Sequence, residues 1–236
     1  VRKLRDADVI IYGGLQLEGK MGDLLEDLAE RQTTVAITKD ILREDLLDPP
    51  ANVVGEQYDP HVWFDVEKWI VAAGTVAAAL KEKDPEHAAT YEANLARYTA
   101  ELRETDAYVE QQIAKIPKDR RLLVTSHDAF EYFGKRYGME VAAIQGISTA
   151  SEATTSDVRR VAALLAARKI PAAFIESSVP RQTIEAVLAA AKSRGHTARI
   201  GGELYTDAAG DEGTVEGTYV GMVRANADTI TEALSR

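Results

Sequence analysis

Residues 86–116, EHAATYEANLARYTAELRETDAYVEQQIAKI, hold neither glycine nor proline. Apolar side chains fall at Tyr91, Leu95, Tyr98, Leu102, Val109 and Ile113, mostly three or four apart, so they form a stripe along one side of an α-helix. At 1.5 Å per residue such a helix runs roughly 45 Å, more than one small domain needs. Pro85 near its start and Pro117 after its end fit helix boundary chemistry. The stretch predicts a helical rod between two parts of the chain; the rival reading is a long surface helix inside a single domain.

On both sides of the rod, short apolar runs alternate with amphipathic stretches. Before it, residues 7–12 (ADVIIY) and 33–38 (TTVAIT) read as buried strands, and residues 21–31 and 66–83 as helices. Residues 46–58 carry Pro49, Pro50 and Gly55 and read as a loop. After it, strands are expected at 121–125, 140–144, 172–175 and 197–200, and helices at 128–137, 156–168, 182–193 and 218–234. This is the rhythm of βα units around parallel-rich sheets. The expected fold class is therefore α/β, with an N-terminal lobe at 1–85, a linker helix at 86–117 and a C-terminal lobe at 118–236.

Composition narrows the function. A formal net charge of -10 disfavours nucleic acid, whose affinity comes mainly from cationic side chains on phosphates, and suits a protein that meets cations. No apolar run approaches the ~20 residues that span a bilayer, and the start Val1-Arg2-Lys3-Leu4-Arg5 reads as neither a secretion signal nor an anchor. With no cysteine in the chain, disulfides, thiol catalysis and thiolate metal sites are all excluded, so a metal here is held by nitrogen and oxygen.

The four histidines divide by context. His127, in Val124-Thr125-Ser126-His127-Asp128, follows a strand and precedes a helix, at the carboxyl edge where open parallel sheets place ligand-binding groups. His61, in Asp59-Pro60-His61-Val62-Trp63, follows a loop and precedes a helix that Asp65 is placed to cap. Each serves structure as readily as chemistry when taken alone. Asp207, in Leu204-Tyr205-Thr206-Asp207-Ala208, lies just past another strand, where an aspartate is more often a turn former. His87 and His196 read as solvated surface residues.

Because His61 and the pair His127 and Asp207 come from different halves, a site using all three is expected in the cleft between lobes. Two imidazoles and one carboxylate suit Zn(II) or Mn(II) better than Cu(I). Glu176 ends a strand on the same side; it either orients a ligand or caps the next helix, and capping is favoured. Gly13-Gly14 with Gly19 makes no dinucleotide fingerprint. Ser126-His127-Asp128 are neighbours in sequence, whereas a catalytic triad must assemble in space beside an oxyanion hole. No activated nucleophile is evident, and no enzyme activity is expected.

The blocks Asp59-Pro60-His61-Val62-Trp63 and Thr125-Ser126-His127-Asp128-Ala129-Phe130-Glu131-Tyr132-Phe133 resemble the metal-binding receptors of TroA-like manganese and zinc ABC importers. The segment from Ala7 to Glu18 also resembles the family's early strand and turn, with Gly13 where asparagine is usual. Gly146-Ile147-Ser148-Thr149, Phe174-Ile175-Glu176-Ser177-Ser178 and Leu204-Tyr205-Thr206-Asp207-Ala208 follow in the family's order, so the likeness covers essentially the whole chain.

The resemblance implies two α/β lobes joined by one rigid helix, and a buried Mn(II) or Zn(II) held by His61, His127 and Asp207. It further implies an extracytoplasmic, monomeric receptor that delivers the ion to an ABC permease, meeting the membrane only through a possible N-terminal anchor outside this chain. In relatives the His127 position can be glutamate. The family usually has one more histidine ligand, in a first strand expected before Val1, so the chain reads as lacking that ligand and its βα unit. No His-rich loop lies between Leu46 and Tyr58, which favours manganese. The alternatives to a receptor are a zinc-dependent hydrolase using the same cluster, with Glu176 as base, or a surface adhesin of receptor origin.

Overall fold

Two parallel strands cannot be joined by a tight turn, so each strand pair of this chain encloses a crossover with helix in it. The computed structural model describes residues 2–49, 58–149 and 153–235. It divides into two compact units, Val1–Glu104 and Thr105–Arg236, with the boundary inside one helix.

In the first unit a single turn, α1 (Arg2–Arg5), leads to β1 (Ile10–Tyr12), then α2 (Gly22–Ala29) and β2 (Thr34–Ala36). The two strands run parallel, with Ile10 opposite Thr34 and Tyr12 opposite Ala36. Both are shorter than the apolar runs predict. The ladder stops because the chain turns after Ala36: Ile37 N donates to Tyr12 O, and Lys39 N already bonds back to Ala36 O. Residues 50–57 of the expected loop lie outside the described residues.

Helix α3 (Val66–Lys83) starts where the sequence predicts, because Asp65 caps it by accepting from Glu67 N at 3.0 Å. Ala72, Ala77 and Ala79 form much of its buried side.

The long helix is α4 (Ala88–Ala114), entered through a 3-10 turn over Pro85–His87. Pro85 has no amide hydrogen to donate, and Asp84 instead draws His87 Nδ1 at 2.9 Å and the Tyr91 hydroxyl at 2.7 Å. Beyond Ala114, Lys115 and Ile116 make only turn-type bonds to Gln112 and Ile113, because the residue before Pro117 is pushed out of the helical region. Of the expected stripe, Leu102, Val109 and Ile113 are buried, joined by Thr105, while Tyr91, Leu95 and Tyr98 are half-buried.

The second unit continues with β3 (Leu122–Thr125), α5 (Glu131–Tyr137), β4 (Glu140–Ala143), α6 (Thr155–Arg168), β5 (Ala172–Glu176), α7 (Gln182–Lys192), β6 (Arg199–Leu204) and α8 (Tyr219–Leu234). β3 pairs parallel with β4, and β5 pairs parallel with β6. β3 also packs beside β5, and every residue of β3 is buried, as a strand covered on both faces must be.

Two elements here differ from expectation. Helix α5 begins three residues late, at Glu131, because the chain at Ser126 and His127 is bonded elsewhere. Strand β6 runs on through Gly201 and Gly202, where the sequence predicts its end. A Cβ at Gly201 would lie 2.6 Å from the Phe174 ring, so only glycine lets β6 lie this close to β5. Among the described residues, no helix is long and apolar enough to cross a membrane.

Candidate metal centre

Each unit presents an imidazole whose Nδ1 is taken by a buried carboxylate. In the first unit the sequence Asp59-Pro60-His61 makes a tight local structure. One Asp59 oxygen accepts from His61 N at 2.9 Å and lies 2.7 Å from His61 Nδ1. Both residues are buried, and the Trp63 ring stands edge-on to the imidazole at 5.1 Å. An ionised carboxylate only accepts, so the ring donates through Nδ1–H and its lone pair sits on Nε2, the atom a metal would take.

In the second unit, His127 is wholly buried at the end of β3. Its Nδ1 donates to Glu176 Oε2, and its Nε2 lies 3.4 Å from Asp207 Oδ1. Asp207 follows β6 by three residues, with its side chain one third exposed. That strand end is held from behind: Asn226 of α8 accepts from Tyr205 N at 2.9 Å and donates to Tyr205 O at 2.8 Å. The Thr206 and Ser178 hydroxyls also meet at 2.7 Å, tying the strand end to the turn after β5. Parallel pairing of β5 with β6, and packing of β3 on β5, thus bring Glu176, Asp207 and His127 to one sheet edge.

Electrostatics at this edge favour positive charge. Burial alone pushes the His127 imidazole down, but hydrogen bonds and charge from Asp207 and Glu176 outweigh it and raise the group to about 9. A divalent cation competes for the same field. Imidazole nitrogen and carboxylate oxygen are borderline-hard donors, and such His and Asp side chains form a group able to hold a metal ion.

Of the sequence-predicted site residues, His127 and Asp207 come together, and His61 is buried and oriented within its own unit. Glu176 does not cap the next helix: α7 has Arg181 at its N-cap, and Glu176 is turned inward onto Ser126 and His127. The sequence favours a cap there because the actual contact joins residues some fifty positions apart, which no local pattern reveals. Asp59 was missed, although an aspartate two residues before a histidine is a signal, since it can reach both the backbone amide and the ring. His87 is exposed as predicted, whereas His196 is half-buried with Nε2 2.7 Å from Ile170 O.

The family model described as zinc-uptake complex component A, periplasmic, matches residues 1–233. The manganese-binding lipoprotein MntA of Bacillus subtilis (strain 168) is 45% identical over 233 residues, covering 99% of this chain and 75% of that protein. The manganese ABC transporter substrate-binding lipoprotein PsaA of Streptococcus pneumoniae is 32% identical, covering 100% and 76%. Among solved structures, the periplasmic zinc-binding protein TroA from Treponema pallidum superposes with a TM-score of 0.94 at 45% identity, covering 100% of this chain and 83% of that one.

Proposed function

The chain belongs to the zinc-uptake complex component A family, and from that premise we propose that it captures a divalent manganese or zinc ion outside the cytoplasm for an ABC importer. The observation that carries this is identity of 45%, over essentially the whole of this chain, to both a manganese-binding and a zinc-binding member, in a chain whose two candidate histidine ligands are buried and oriented as metal-binding histidines are. The protein is a transport receptor and not an enzyme, and neither the hydrolase nor the adhesin reading draws support from its relatives. The ion is cargo.

The ligands in this reading are His61, His127 and Asp207. His61 and His127 each engage a carboxylate through Nδ1 and so present Nε2, while Asp207 adds one negative oxygen. The domain plan that goes with it is a lobe at 1–85, a linker helix at 86–117 and a lobe at 118–236. A monomer that docks on the permease, in the periplasm or anchored at the outer face of the membrane, completes the proposal. Raw affinity does not choose between the two metals, because zinc outcompetes manganese at most nitrogen and oxygen sites.

Native mass spectrometry with elemental analysis tests this on the wild type and on His61→Ala, His127→Ala and Asp207→Ala. One ion per chain is expected in the wild type, with loss of that ion or a large drop in affinity in each variant. A full stoichiometric ion retained by all three would overturn the assignment.

A further inference from the structure

Glu176 is a buried carboxylate, at 0% side-chain exposure, and it spends both oxygens on Ser126 and His127. Oε1 accepts from Ser126 N at 2.6 Å and from His127 N at 2.9 Å, while Oε2 accepts from His127 Nδ1. The first pair fixes the backbone at the end of β3, and the third bond fixes the rotation of the ring on that backbone. With both oxygens committed and the residue 4% exposed, Glu176 is not placed to bind the ion itself. It lies at the last position of β5, so the ring is referenced to the sheet rather than to a loop.

We propose that Glu176 is the positioning residue of the metal centre, holding His127 with its proton on Nδ1 and its Nε2 lone pair directed at the cation. This rests on the receptor reading above. Three N–H donors converge on this side chain, so it must be an acceptor at both oxygens. A glutamine at this position that keeps its oxygen on the two amides turns its NH2 towards Nδ1. That nitrogen must then accept, which moves the ring proton to Nε2 and blocks the ligand atom. The reverse amide orientation sets NH2 against two N–H donors.

Glu176→Gln is therefore nearly isosteric, keeps the backbone contacts, and reverses the ring tautomer while removing one of the two charges that raise His127. Zinc affinity is measured by chelator competition on wild type, Glu176→Gln and His127→Ala, and imidazole N–H protons are followed by NMR in the zinc-saturated proteins. The expected result is a 10- to 100-fold loss of zinc affinity in Glu176→Gln. With it, the slowly exchanging His127 Nδ1 proton of the wild type should disappear, while the melting temperature of the metal-free protein stays within a few degrees.

Folded Glu176→Gln that binds zinc within threefold of wild type overturns the proposal. If that variant does not fold, the zinc-saturated wild type still decides: a His127 proton on Nδ1 supports the role, and coordination through Nδ1 with the proton on Nε2 refutes it. Undiminished zinc binding by His127→Ala removes the receptor reading as a whole. Loss in His127→Ala with none in Glu176→Gln removes only the positioning role.

Discussion

At His127 two carboxylates compete with burial for control of one imidazole, and the carboxylates win. The group sits at about 9 in the folded protein against 6.5 for an ordinary histidine. A raised value means that the folded state holds the proton more tightly than the unfolded chain. The resulting stabilisation is complete below the unfolded value, fades as pH rises, and is gone above about 9. Metal-free protein should thus be more stable to urea at pH 6 than at pH 9.5, by at most about 3 kcal/mol from this group. His127→Ala should lose that slope, which denaturation curves in the presence of chelator would show. Metal binding has the opposite sign. Because the ion displaces a proton from Nε2, affinity should rise by up to about tenfold per pH unit between pH 6.5 and 9. Isothermal calorimetry in buffers of different ionisation heat reads that proton release, and an affinity flat across this range would contradict it. The window is higher than a free histidine implies, and the cause is the pair of acids that no local sequence pattern brings together.

Among the elements, the two that matter most for the site are strand β6 and helix α8, because Asp207 hangs from one and is steadied by the other. Asn226, buried in α8, makes both backbone bonds to Tyr205. Asn226→Ala leaves the half-buried amide and carbonyl of Tyr205 without these bonds, and should cost about 1–3 kcal/mol by chemical denaturation while weakening metal binding. Gly201→Ala puts a methyl group into the Phe174 ring at 2.6 Å and should destabilise by about 1–3 kcal/mol on the same assay. Helix α4 tells a different story along its length. Val109 is fully buried, and Val109→Ala should cost about 1–3 kcal/mol; Glu92 on the exposed side should tolerate alanine within about 0.5 kcal/mol. The apolar stripe of this helix was legible from its spacing alone. Its start was not, since a proline that opens a 3-10 turn and one that opens an α-helix look alike in sequence.

For the whole molecule, the net charge of -10 draws divalent cations and repels nucleic acid, so the rate of metal capture should fall as salt rises. Binding of an ion to the folded state alone raises its stability by about 2.7 kcal/mol when free metal is a hundred times the dissociation constant. A melting temperature that climbs with zinc in the wild type and stays fixed in His127→Ala would report that linkage. The α/β class, the long helix and the donor chemistry were legible along the chain, because periodicity, proline placement and the absence of cysteine act locally or by composition. The sequence also singled out His127 and Asp207, each of which sits just past an apolar run. What Glu176 does, where β6 ends and how strongly His127 holds its proton depend on the packed strands. Those properties arise where β3, β5 and β6 lie side by side, joining residues some fifty to eighty positions apart whose spacing along the chain carries no trace of the contact.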